Sequence, residues 1–444
     1  METLSQKLMD ETWDSVHLNT LESAKKVLID TLGATIAGVY EPSMKKLIEQ
    51  VEVLHPGSYA VLGTDKLVDL YTAALINGAA TVAVELDEGN QWSKGHPAAH
   101  VVPTMLTYVQ TKDRYSGKDF IFNLIRAYEA CSQFGRATTL CPTAHAHGTW
   151  GVMGAAASVL MIDDVTKEEF LAGINISASF AMPTMWNSAI EGALIRDIYV
   201  GQAVESGIKT VSLLKSGFYA PRNNVEYIYG EVIGNAFDKS SFCTSTSGRW
   251  DIDQNYFKTH AFCRYAHAPL DVLKLIVEEN AIQVDDIKSI QVVTYSRAAS
   301  LNSSEYINAL SAKFSIPYAL SVWLHTKQTN HSVFNIDFIE NLQIRETAKK
   351  IKVIQSTELE KDYPNHMPAE VEVILQSGKS FKNKLNNAYG APGHQLTFAD
   401  VIEKFKVNTK SQLSASIQKE IINWISTIES QSNMDELIQL LRQK

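Results

Sequence analysis

Residues 287–296, IKSIQVVTYS, alternate apolar and polar side chains and are rich in β-branched residues, the pattern of a half-buried strand. Downstream, Ala369–Leu375, a Ser377-Gly378 turn and Lys379–Leu385 read as a β-hairpin. Helical segments lie between these strands, near Pro269–Glu278 and Tyr318–Leu324. This α+β texture begins near residue 265 and stops near 395.

On both sides of it the chain reads as helix. Upstream, a segment from Leu21, with Asn19 and Glu22 spaced as a capping box, carries Gly33, Ala34, Ala37 and Gly38. The same small-residue composition recurs at Ala73–Ala83 and Gly151–Ser158, and helical periodicity continues at Lys167–Ala181 and Gly201–Lys215. Helices with so little side chain to bury are expected to be enclosed by other helices. Downstream, Phe398–Phe405, Ser411–Ile425 and Met434–Leu441 return to helix. The expected fold is therefore mostly α with an α+β insertion. A helical domain takes residues 1–265 and 396–444, and a smaller α+β domain takes 266–395.

The composition agrees with a globular protein: 444 residues, 45% hydrophobic, net charge -9. The acidic balance argues against nucleic acid or an anionic membrane as partner. The first twenty residues have no basic start and apolar run, and no stretch nears the roughly 18 apolar residues of a membrane span. Cys131, Cys141, Cys243 and Cys263 form no CxxC pair, which reads as free thiols in a reducing cytoplasm and argues against a clustered iron–sulfur site.

Three polar clusters stand out. Glu85–His100, ELDEGNQWSKGHPAAH, places Asp87, Glu88, His96 and His100 in what reads as a loop between two apolar helices, the second starting near Pro103. Thr143–Gly154, TAHAHGTWGVMG, sets His145 and His147 before a glycine-rich helix start, where unpaired N–H groups favour an anion. Tyr256–His267, YFKTHAFCRYAH, holds Lys258, His260, Cys263, Arg264 and His267 among aromatic residues.

HxxxH and HxH spacings raise a metal site from Asp87, His96 and His145, but HExxH, CxxC and DxDxDG are absent and no metal is expected. GxxxxGK[ST], a strand-to-helix GxGxxG and GxSxG are missing too. Histidines, carboxylates and Lys/Arg without a cofactor signature suit proton transfer at a carbon next to a carboxylate. Dehydration, decarboxylation and epimerisation of small polycarboxylic acids all pass through such carbanion-like states.

At these clusters the sequence resembles the MmgE/PrpD family, which includes 2-methylcitrate dehydratases, cis-aconitate decarboxylases and iminodisuccinate epimerases. The resemblance rests on Leu86-Asp87-Glu88 followed by His96-Pro97, on His145-x-x-Gly148-x-x-Gly151-x-x-Gly154-Ala155-Ala156, on Lys258 through His267, and on Ala312-Lys313-Phe314-Ser315-Ile316-Pro317-Tyr318. It implies a large all-helical domain from both chain ends, a smaller α+β lid domain, no metal or organic cofactor, and a homodimer. It also implies that Asp87, His96, His145 and Lys258 line the pocket. On chemistry, His96 transfers the proton, Asp87 orients it, and His145 and Lys258 bind substrate carboxylates. Arg196, His147, Cys263, Arg264 and Tyr318 complete the candidate set as substrate contacts.

Four positions depart from the family pattern. Glu88 stands where many members have Asp, His147 where Thr or Ser is common, Arg196 where a Lys is common, and Cys263 where members vary. Arginine keeps the charge but does not serve as a proton donor at neutral pH. The expected activity is a cofactor-independent lyase on a small di- or tricarboxylate, with cis-aconitate decarboxylation ahead of 2-methylcitrate dehydration. An epimerase of an amino-dicarboxylate and a non-catalytic carboxylate-binding homologue are the alternatives.

Overall fold

The computed structural model describes residues 1–242 and 250–442; Cys243 lies outside them. Cys131, Cys141 and Cys263 are free thiols. The chain divides into two compact units. The first comprises Met1–Trp186, Ile195–Asn255 and Thr397–Lys444, and the second Asn187–Leu194 and Tyr256–Leu396. No helix of the described residues is long and apolar enough to cross a membrane.

The first unit is a layered bundle of buried helices. Leu70–Ala83 packs on Ile195–Lys215 and on Leu18–Gly38, while Gly151–Ile162 packs on Pro97–Tyr108 and Gly117–Ala137. Small residues set these spacings. A methyl on Gly78 would stand 2.9 Å from Gly201 Cα, and one on Gly201 would stand 2.2 Å from the Leu75 carbonyl oxygen. The two backbones thus touch, and dispersion contact along the crossing replaces the area that larger side chains would bury. Pro97–Tyr108 and Gly151–Ile162 are buried along their whole lengths, so polar groups at their ends are held in a dry interior.

The C-terminal return closes this unit. Phe398–Thr409, capped by Thr397 and Asp400, packs on Leu18–Gly38, and a methyl on Gly33 would stand 3.2 Å from the Phe405 ring. Lys404 Nζ lies 2.6 Å from Asp30 Oδ1 and donates to the Leu86 carbonyl at 2.7 Å.

Several local features differ from the sequence expectations. The first long helix starts at Leu18 with His17 at its N-cap, so Asn19 sits inside it and the Asn19–Glu22 box does not form. The helix expected near Pro103 starts at Pro97, with Pro103 internal, because the histidine-to-proline step at 96–97 supplies a favourable first turn. The helix expected from Gly201 starts at Ile195. The body also carries two short antiparallel pairs, Pro56–Ala60 with Leu67–Val68 and Thr138–Leu140 with Gly234–Phe237.

The second unit is built on a four-stranded sheet. Its order is Ile351–Gln355, Ile287–Thr294, Ala369–Leu375 and Ser380–Leu385, the first pair parallel and the others antiparallel. Ile287, Ile290, Val292 and Thr294 are buried, as are Ala369, Val371 and Val373. The His267–Glu279 helix packs against the hairpin and Ile316–Thr326 against His267–Glu279. The hairpin turn holds Gly378 at φ +86°, a left-handed conformation that glycine adopts without a Cβ penalty.

Candidate active site

Asp87 and His96 meet across the loop that follows the Leu70–Ala83 helix. Asn90 and Gly95 form an antiparallel bridge that closes this loop, and Asn90 Oδ1 accepts from the amides of Trp92 and Ser93 at 3.0 and 3.1 Å. The closure delivers His96 to the N-cap of Pro97–Tyr108. His96 Nδ1 lies 2.8 Å from Asp87 Oδ2 and 2.6 Å from the Glu88 carbonyl oxygen. A carbonyl only accepts, so Nδ1 carries the hydrogen and Nε2 is the basic nitrogen of the neutral ring. Asp87 is fully buried, whereas the His96 side chain keeps 13% exposure.

Glu88 turns its carboxyl the other way. Oε2 accepts from the Ala98 amide at 3.1 Å, at the start of the helix, and Oε1 accepts from the Tyr128 hydroxyl. Burial pushes this carboxyl up to about 8, against the opposing pull of Tyr128 and Ala98. His100, one helical turn beyond His96, accepts no charge either. Its Nδ1 bonds the His96 carbonyl oxygen at 3.0 Å, and burial lowers the ring to about 4. A methyl on Gly151 would stand 2.2 Å from the His100 ring, so that glycine lets the neighbouring helix close over the imidazole.

His145 and His147 precede Gly151–Ile162. The His147 amide donates to His145 Nδ1 at 3.0 Å, which assigns the ring hydrogen of neutral His145 to Nε2. The His145 ring stacks on Trp186 at 5.4 Å and 28°. His147 is wholly buried, with its ring 4.5 Å from that of His145, 5.1 Å from His96 and 6.1 Å from His100. Neither of its ring nitrogens has a hydrogen-bond partner among the described residues. Burial, with Arg196 and the other histidines, holds His147 well below the ordinary imidazole range.

Arg196, in the first turn of Ile195–Lys215, is also wholly buried. It donates to Glu85, to Asp197 at 3.1 Å and to the Val82 carbonyl at 3.0 Å. Burial opposes its charge, but Glu85, Asp197 and Asp87 together raise it above its usual value. Its positive charge pairs with two protein carboxylates. Glu85 itself sits at φ +55°, where the helix end turns into the loop.

The remaining candidates belong to the second unit. Lys258 and Cys263 are buried. Arg264 donates to the Tyr389 and Ala388 carbonyls at 3.1 and 3.4 Å, with its guanidinium 4.5 Å from the Tyr256 ring centre. Tyr318 donates to the Val333 carbonyl. His260 lies 2.8 Å from Asp271 and 2.9 Å from Thr329 Oγ1, and its ring packs 4.9 Å from His267. Arg264 and Tyr318 thus each donate to backbone carbonyls of their own unit, and Arg264 also lies 3.4 Å from His267 Nδ1. Sequence reasoning missed Glu85, Tyr128, Trp186 and Lys404, all distant in sequence from the groups they meet.

The sequence model of the MmgE/PrpD N-terminal domain matches residues 2–238, and that of the MmgE/PrpD C-terminal domain matches residues 260–430. The chain is 21% identical to a cis-aconitate decarboxylase of Aspergillus terreus over 458 residues, covering 96% of this chain and 93% of that protein. It is 23% identical to the Homo sapiens cis-aconitate decarboxylase over 95% of this chain and 90% of that protein, and 21% identical to the Mus musculus protein of the same name over 95% and 89%.

Proposed function

The chain belongs to the MmgE/PrpD family, and from that premise we propose that it is a lyase that decarboxylates cis-aconitate or a close di- or tricarboxylate without an organic cofactor. The observation that carries the reading is the Asp87–His96 pair, with the Nδ1 hydrogen held by a carboxylate and a carbonyl and Nε2 left as the basic nitrogen. In this reading Nε2 of His96 takes up a proton and returns it to the carbon from which CO2 departs, while Asp87 fixes the tautomer and balances the imidazolium that forms. His145 offers an Nε2 hydrogen to a substrate carboxylate. Arg196 is offset by Glu85 and Asp197 within the first unit. Relatives named cis-aconitate decarboxylase over almost the full chain favour decarboxylation over dehydration. A soluble homodimer is part of the same proposal.

Incubation with cis-aconitate, 2-methylcitrate and iminodisuccinate in D2O, followed by proton NMR, tests this. Loss of CO2 with one deuterium incorporated supports the proposal. Water loss from 2-methylcitrate alone moves the protein to the dehydratase branch, and solvent exchange with iminodisuccinate alone moves it to the epimerase branch.

A further inference from the structure

We infer that Glu88 is a positioning residue for His96: its main chain holds the imidazole, and its side chain holds the helix start that carries it. The inference rests on the reading of His96 as the base and deepens it. Glu88 is fully buried. Its carbonyl oxygen lies 2.6 Å from His96 Nδ1, and its carboxyl Oε2 accepts from the Ala98 amide at 3.1 Å. The other carboxyl oxygen meets the Tyr128 hydroxyl, on the Gly117–Ala137 helix.

A carbonyl turns with its peptide plane, so it fixes a ring only where the residue bearing it is itself fixed. The plane in question joins Glu88 to Gly89, and a glycine on its far side leaves it free to rotate. The Glu88 side chain supplies the missing restraint. One oxygen grips the amide two residues past His96, in the first turn of Pro97–Tyr108, and the other grips a tyrosine on a separate buried helix. Ring, helix start and loop are thereby tied through one residue, and the acceptor that keeps the hydrogen on Nδ1 stays aimed at it.

Glu88 acts here by its hydrogen bonds rather than by charge. Burial, with Asp30 and Asp87 facing it, raises the carboxyl to about 8 against the bonds from Tyr128 and Ala98, so at neutral pH it carries a hydrogen, shared between Oε1 and the Tyr128 oxygen. A glutamine keeps an oxygen for the Ala98 amide and an N–H for the Tyr128 oxygen, with no charge in either case. Glu88→Gln therefore separates positioning from electrostatics, and Glu88→Ala removes both bonds.

Steady-state kinetics on cis-aconitate, beside imidazole 15N NMR of the free full-length protein labelled at histidine, tests the inference; His96→Ala identifies the His96 signals. Glu88→Ala should lower kcat about 10- to 100-fold with KM within about threefold of wild type, and Glu88→Gln should recover most of that loss. In an Asp87→Asn background, where the Glu88 carbonyl still holds the Nδ1 hydrogen, Glu88→Ala should cost at least about threefold more, because both substitutions then act on one hydrogen. The His96 Nδ1 hydrogen should give a resolved signal in wild type and Glu88→Gln and broaden by exchange in Glu88→Ala. Circular dichroism identifies folded variants, and Tyr128→Phe, which removes one tie and should change both readouts in the same direction, carries the comparison if Glu88→Ala fails to fold. An Nδ1 signal as sharp in Glu88→Ala as in wild type overturns the inference. So does a loss in Glu88→Gln as large as in Glu88→Ala. A wild type that does not turn over cis-aconitate removes the decarboxylase reading alone, and the NMR comparison still decides the role of Glu88.

Discussion

Lys404 reaches across the first unit to Asp30, with Nζ 2.6 Å from Oδ1, and the same ammonium holds the carbonyl of Leu86, the residue before Asp87. Asp30 is fully buried and the Lys404 side chain is 11% exposed. The candidate catalytic loop is therefore anchored by the Phe398–Thr409 helix.

Removing that ammonium strands a buried carboxylate. Lys404→Met should lower unfolding free energy by about 3–5 kcal/mol, measured by urea denaturation, and should slow turnover by loosening the loop. Adding Asp30→Asn to Lys404→Met should recover part of the stability, because the uncompensated charge is gone. A double variant no more stable than Lys404→Met would show that the pair is not the cause.

His96→Ala should reduce kcat on cis-aconitate by about 100- to 10,000-fold while leaving substrate binding by calorimetry within a few-fold. Asp87→Asn should act in the same direction but less, because the Glu88 carbonyl still holds the Nδ1 hydrogen. Equal binding losses in both variants would assign the pair to substrate positioning.

Arg196 should behave as a structural cation. Arg196→Lys loses the fork that serves Glu85, Asp197 and Val82 together, and should cost about 1–3 kcal/mol in stability. KM for the substrate should stay within about threefold of wild type. A large rise in KM at unchanged melting temperature would instead make Arg196 a substrate ligand.

Asp251 gives the first unit a pH-dependent stability. Burial and the nearby Glu129 carboxylate raise it to about 6, although Arg136 lies 2.6 Å away. The folded state then binds a proton more tightly than the unfolded chain. Stability from this group is greatest below about pH 4 and falls as pH rises to about 6, by up to about 3 kcal/mol. Asp251→Asn should flatten that part of the melting-temperature profile while lowering the whole curve through loss of the Arg136 pair.

The alternation at 287–296 and the Ser377-Gly378 turn were legible because a strand's period and a left-handed turn residue are local signals. Asp87 and His96 were legible as a pair because ten residues contain them. The short parallel strand Ile351–Gln355 was not, since five residues carry too little pattern to separate strand from helix. Nor did any spacing show that Arg196 would meet Glu85, 111 residues away. That contact depends on Leu70–Ala83 lying against Ile195–Lys215, which their small residues permit but do not announce. His147 read as a substrate contact from its HxH context, while its place among three other rings came only with the fold.

The closure of the first unit by Phe398–Thr409 also imposes an order in time. Asp30 and Lys404 are separated by 374 residues, a stretch that a ribosome making about 5–20 residues per second takes roughly 20–75 s to produce. Throughout that interval the nascent helix bearing Asp30 has neither the Lys404 charge nor the Phe405 ring against Gly33. A truncation that removes both Lys404 and Phe405 should therefore yield a chain with no working site.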